Sequence, residues 1–196
     1  MKSMGKILIY PDPVLRKENK LVEGVGEQVL KEMEELKKIL EVDEKGVGLA
    51  APQLGVSKRF FGVKRWKKKG VGVVVLVNPK IVKTWGEKGF LQIERENGES
   101  DDFLEGCLSF PGIYTKVGRW FKIGVQFEVL GRGNRLFRKR EIWQGFEAVV
   151  FQHELDHLEG VLLIDRAEEN GKGIWKMEEG KMEETSLEKV KKGILR

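Results

Sequence analysis

The stretch that most constrains this chain is Phe146–Leu158, F-E-A-V-V-F-Q-H-E-L-D-H-L, which holds His153, Glu154 and His157 in the order H-E-x-x-H. These are the chain's two histidines. In a helix, residues four apart stand one above the other, so both imidazoles would face one point. Glu154 follows the first of them, within reach of a water held there. Two ligands and one general base on a single turn is the mechanical sense of this pattern. Phe146, Val149 and Val150 continue the same face upstream, which makes the metal side of the helix its buried side. The bland rival is an amphipathic helix with two half-exposed histidines.

A chain of 196 residues fits one domain, or one domain with a tail, and can bury a sizeable core. With 40% hydrophobic and 34% charged residues it reads as soluble and globular. No apolar run reaches the length of a membrane span, and the first residues, M-K-S-M-G-K, lack the apolar stretch of a signal peptide. The single cysteine, Cys107, cannot close an internal disulfide, which favours a reducing compartment, the cytoplasm. The net charge of +5 is spread among interleaved Lys and Glu. Its one dense run, Lys64–Lys69, reads as a solvated hairpin tip, and no DNA- or RNA-binding signature accompanies it. The charge is compatible with work near ribosomal RNA, and docking of the C-terminal tail on the ribosome near the exit tunnel stays open.

Along the chain, Ile7–Leu15 runs into Pro11 and Pro13 and predicts an extended arm followed by a tight turn. Apolar residues from Val25 to Val42 recur at three and four and predict an amphipathic helix. Gly46–Gln53, G-V-G-L-A-A-P-Q, lacks the third glycine of a dinucleotide loop and the Gly-Lys of a phosphate loop. Its glycines permit unusual backbone angles and close approach of another chain. Strands are predicted at 59–63, 71–77, 80–84 and 91–96, then at 113–117, 121–130 and 135–142, with a polar loop at 98–102 and a hairpin turn at 131–134. Gly160 closes the H-E-x-x-H helix. Beyond Arg166 hydrophobic content falls, and Met182, Leu187, Val190 and Ile194 suit one face of a surface helix or a tail. The expected fold is therefore α+β: antiparallel sheets around the H-E-x-x-H helix, one helix before it and a helix or tail at the C-terminus. Residues 1–166 are expected to form the catalytic unit and 167–196 a polar appendage of the same domain.

A catalytic site of this kind keeps three protein ligands and an open position. Cys107 would complete the set and exhaust the chain's nitrogen and sulfur ligands. A lone Cys is more often an inert core residue, but Glu105, Gly106, Ser109 and Pro111 around it do not make an alternating core strand. A carboxylate roughly twenty residues downstream, Glu178 or Glu179, is the rival third ligand, as in one class of metalloprotease. A third reading is a metal-stabilised interaction domain without catalysis.

Three segments together resemble the peptide deformylase family: G-V-G-L-A-A-P-Q at 46–53, E-G-C-L-S at 105–109 and Q-H-E-L-D-H at 152–157. The opening I-L-I-Y-P-D-P-V-L-R is similar too, and the likeness spans roughly Ile7 to Arg166. The resemblance implies removal of the formyl group from the formyl-methionine of nascent chains, a hydrolysis of a linear amide releasing formate. It implies Cys107, His153 and His157 as ligands of one divalent metal, iron(II) in the cell, with zinc, nickel or cobalt also accepted. Glu154 would move the proton, and the Gln53 amide and the Leu108 backbone N–H would stabilise the oxyanion. Gly48 would bond the substrate backbone, while Val47, Glu105, Gly106, Phe146, Val149 and Val150 would border the methionine pocket. Where many relatives carry an Arg facing the substrate, this chain has Tyr114, and the usual Arg-Pro beyond it reads Arg119-Trp120.

Overall fold

The structure, a computed structural model, describes residues 6–67, 70–95, 98–171 and 173–192. Lys68 and Lys69 of the basic run, Glu96 at the end of a predicted strand, and Ile194 lie outside them. The elements in order are α1 (Glu27–Val42), β1 (Gly48–Ala50), β2 (Phe60–Lys67), β3 (Gly70–Gly89), β4 (Gln92–Glu94), β5 (Ser100–Asp102), β6 (Glu105–Cys107), β7 (Phe110–Thr115), β8 (Arg119–Leu130), β9 (Leu136–Gln144), α2 (Gly145–Leu158), α3 (Leu163–Asn170), β10 (Ile174–Glu178), β11 (Lys181–Thr185) and α4 (Leu187–Lys191). The fold is α+β with antiparallel pairing in every sheet: a five-stranded sheet β1-β2-β3-β8-β9, a four-stranded sheet β11-β10-β7-β6, and the small pair β4-β5.

Strand alternation sorts the core. Adjacent Phe60 and Phe61 point to opposite faces of the large sheet. Phe60 joins Met33, Leu36 and Leu40 of α1, while Phe61 joins Ile123, Trp143, Phe151 and Leu155 around α2. A third cluster, with Leu15, Phe110, Leu163 and Ile174, seals the small sheet against α3. The α2 helix is buried nearly all round from Ala148 to Leu158, with only His153 partly open. The expectation that its metal side alone is buried is thus corrected: a helix apolar or internally paired on every side sits inside the fold.

Other differences have physical causes. The strands expected at 71–77 and 80–84 are one strand, β3, with register shifts at Asn78-Pro79, between Ile81 and Lys83, and between Trp85 and Lys88. The Asn78 side chain bonds both the N–H and the C=O of Val22 and also Glu128, which holds the bulge inside the sheet. The polar loop expected at 98–102 contains β5, paired with β4. Gly48–Ala50 is an edge strand followed by a one-turn 3-10 helix. The polar appendage is a β-hairpin, β10–β11, docked on β7, followed by the five-residue α4. Met182 lies on β11, while Leu187 and Val190 pack in the third cluster.

The N-terminal arm crosses the whole assembly. Its backbone N–H groups donate from Leu8 to the Gln53 carbonyl (2.7 Å), from Tyr10 to that of Ser109 (2.9 Å) and from Asn19 to that of Leu158 (3.2 Å). Each acceptor belongs to, or directly follows, one of the three sequence segments singled out above.

Candidate metal centre and its cavity

Three elements meet at one point. β6 delivers Cys107 and α2 delivers His153 and His157, and one ligand atom from each lies within 4.8 Å of the other two. Cys107 Sγ stands 3.2 Å from His157 Nε2. His153 Nδ1 is 2.8 Å from Glu105 Oε2, which fixes the ring and leaves its Nε2 to face the group. Burial pushes the Cys107 thiol up, but the imidazoles of His157 and His153 outweigh it and bring it down to about 5. A thiolate is therefore the resting form at neutral pH, as ligation requires. Burial depresses His153, yet its hydrogen bonds to Cys107 and Glu105 leave it well above the ordinary imidazole value.

Glu154 lies beside the donors. Its carboxylate packs over the β1 backbone, where a Cβ on Gly48 would overlap it, so only glycine fits at that position. Burial raises Glu154 from 4.5 to about 7, partly offset by the two imidazoles. Its Oε2 and the Nδ1 of His157 are buried and lack a hydrogen-bond partner among the described residues. Gln53 is aimed by its own two ends. Its Oε1 accepts the Ala50 N–H at 2.8 Å, so its NH2 faces Ser109 Oγ (3.1 Å) and Cys107 Sγ (3.8 Å).

Behind the donors runs a chain of alternating charges. Arg119 makes a bidentate pair with Glu105 at 2.8 and 2.9 Å and reaches Asp156 at 2.6 Å; Arg166 holds Asp156 from the other side. Burial raises Glu105, but Arg119 and His153 outweigh it and hold it low; Arg119 and Arg166 likewise overcome burial at Asp156. Reading the sequence passed over Arg119, Asp156 and Ser109 as site residues. Arg119 is separated from its partners by 14 and 37 positions, so no local spacing reports the pairing. The one available signal was Asp156 between the two helix histidines.

A cavity of about 650 Å³ opens over this group. Val47, Gly48 and Gln53 line one side; Glu105, Gly106, Cys107 and Leu108 the next; Phe146, Val149, Val150, His153 and Glu154 the α2 side; and Tyr114 the rim. His157 lies behind Cys107 and is 1% exposed. Sequence reading missed Phe103, whose ring meets Phe146 edge-on at 5.5 Å, and Met177. Glu178, by contrast, ends β10 exposed and pairs with Lys176, while Glu179 occupies the hairpin turn with φ 48°. Neither belongs to the donor group, so the downstream-carboxylate alternative is set aside.

An α+β fold with a Cys-His-His donor set and a buried glutamate at the floor of a cavity defines a class of metal-site proteins. Comparison with known proteins narrows it. The family model for polypeptide deformylase matches residues 4–173, and the chain belongs to that family, whose members are amide hydrolases. Peptide deformylase of Thermotoga maritima is 40% identical over 163 residues, 83% of this chain and 87% of that protein. That of Halothermothrix orenii is 41% identical over 155 residues, 79% of this chain and 88% of that protein. The crystal structure of the Thermotoga maritima peptide deformylase superposes with a TM-score of 0.68 at 37% identity, covering 83% of this chain and 97% of that one.

Proposed function

We propose that this chain is a metal-dependent hydrolase that removes the formyl group from the N-terminal formyl-methionine of newly made proteins in the cytoplasm, releasing formate. The observation that carries this reading is the trio Cys107, His153 and His157 beside a buried carboxylate whose Oε2 has no partner among the described residues. An orphaned buried oxygen is costly unless water or a ligand satisfies it. The donors fit a divalent ion: a thiolate, and imidazoles of which one is oriented by Glu105. We take iron(II) as the ion in the cell on the family resemblance; thiolate plus imidazole also accepts zinc, nickel or cobalt. Such an ion lowers the pKa of a coordinated water and polarises a carbonyl oxygen.

The residues divide the remaining work. Glu154, poised near neutrality, accepts the proton of the attacking water and returns it to the leaving amine. The Gln53 NH2, aimed by Ala50 and Ser109, and the Leu108 backbone N–H donate to the oxygen on which negative charge develops. Gly48 offers edge-strand backbone to the peptide. Val47, Glu105, Gly106, Phe146, Val149 and Val150 enclose the methionine side chain, and Tyr114 meets the peptide beyond it. Residues 1–166 carry the chemistry, and 167–196 complete the same domain. Among the described residues no helix is long and apolar enough to cross a membrane.

The test is formate release from formyl-Met-Ala-Ser, under anaerobic conditions, by protein loaded with iron(II), nickel or zinc. Oxygen is excluded because a thiolate ligand is open to oxidation. Cys107→Ala is expected to lose both metal and turnover. Full metal content and turnover in that variant would overturn the assignment.

A further inference from the structure

The family match ends at residue 173, and the β10–β11 hairpin begins immediately after it, at Ile174. The hairpin is not a free appendage. β10 extends the small sheet, with Trp175 opposite Tyr114 and Lys176 opposite Ile113. Paired residues share a face, and so does the residue two positions on. Tyr114, Trp175 and Met177 therefore stand on one side of the sheet, while Ile174 turns into the core on the other. Met177 and Tyr114 both line the catalytic cavity. The Tyr114 ring packs directly on β6, where a Cβ on Gly106 would come within 2.8 Å of it. An apolar wall thus starts one residue from Cys107 and runs outward to Met177, which is 38% exposed. Methionine is an adaptable surface for side chains of varied shape.

We propose that Met177 and Tyr114 form an apolar subsite that selects a large hydrophobic side chain at the second or third residue of the formylated peptide. The inference rests on the reaction assigned above. Its reach follows from strand geometry. β6 and β10 are separated by β7, two spacings of about 4.8 Å, so Met177 lies roughly 10 Å to the side of Cys107. An extended peptide advances about 3.3 Å per residue, which brings the second and third side chains alongside it.

The test uses the metal-loaded enzyme and two peptide series, formyl-Met-X-Ser and formyl-Met-Ser-X, with X as Gly, Asp, Leu or Phe. In at least one series kcat/KM for Leu or Phe is expected to exceed that for Gly by roughly tenfold, mainly through KM. Met177→Ala should shrink this ratio to about threefold or less. Lys176→Ala, on the opposite face of the same strand, should keep it. Calorimetric affinities of the same peptides for metal-loaded Glu154→Gln should follow the same order. Flat series, or a ratio that survives Met177→Ala, would overturn the subsite while the reaction stands. If no peptide releases formate, the reaction assignment fails and the affinities decide: a Met177-dependent order supports the subsite, and a flat one removes it.

Discussion

At the donor floor, where α2 meets β6, the wall is charged and closed: Glu105 and Glu154 are each 4% exposed, and the charges behind Glu105 alternate through Arg119 and Asp156. On the hairpin side the wall is apolar and open, and Met177 is 38% exposed. The two sides meet at Cys107, yet they obey different rules. The closed side must keep one protonation pattern and one geometry, so Glu105, Arg119, Asp156 and Arg166 fix one another around it. The open side needs only shape and apolar area, and it tolerates movement. A substitution should therefore be severe on the first wall and mild on the second.

The sharpest test of the contrast is Glu154→Gln, which should lower formate release by roughly 10²–10⁴-fold while metal content, read by elemental analysis, stays unchanged. The same variant sharpens the pH dependence of stability. Burial raises the folded-state Glu154 from 4.5 to about 7, so the protonated form is the one favoured by folding. Metal-free protein should then lose stability as pH rises through that window, and Glu154→Gln should give a flatter denaturant-midpoint profile there.

Next in size, Arg119→Met removes the cation shared by two buried carboxylates, leaving Glu105 only His153 and Asp156 only Arg166, and should cost about 3–5 kcal/mol in denaturant unfolding. Glu105 and Asp156 are held below their ordinary values of 4.5 and 3.8. Their stabilisation is present above those values and is lost as pH falls through the lowered ones. Wild type should weaken in acid, and Arg119→Met should show a smaller step, carried by His153 and Arg166 alone.

Gly48→Ala pushes a methyl group into the Glu154 carboxylate and should reduce kcat by roughly 10²-fold, as displacement of a catalytic group by about an ångström does. Metal content should hold, because Gly48 touches none of the three donors' ligand atoms among the contacts its Cβ would make. At the small end, Met177→Ala should shift stability by only about 0.5–1 kcal/mol, as for a half-open apolar side chain. A loss as large as that of Arg119→Met would erase the distinction between the walls.

The closed wall was also the more legible in the sequence. His153, Glu154 and His157 carry a period that only a helix makes useful, and α1 announces itself through Met33, Leu36 and Leu40. The alternating runs of β2, β8 and β9 were readable for the same reason: the information lies within a few residues. Asn78 misled because proline after it suggests a break, whereas its side chain is tied to Val22 and Glu128, 56 and 50 positions away. The β10–β11 hairpin was hidden differently. Its Lys- and Glu-rich strands bury little, and β11 is exposed along nearly its whole length. These residues are extended because the edge of β7 offers them backbone partners, not because of their own propensity. Arg119 was invisible as a site residue for a related reason, since its role exists only once Glu105 and Asp156 converge.

The arm that joins Leu8 to Gln53, Tyr10 to Ser109 and Asn19 to Leu158 sets a timetable for the molecule. Each donor precedes its acceptor in the sequence, and the last acceptor, Leu158, lies 139 positions after its donor, Asn19. The cord is therefore long in place before its anchor is made. Until Leu158 has been made, the arm has nothing at that end to tie, although both histidines already precede it. The Cys-His-His group is complete only with His157, 138 positions after Asn19, and the arm's last tie, to Leu158, comes one residue later.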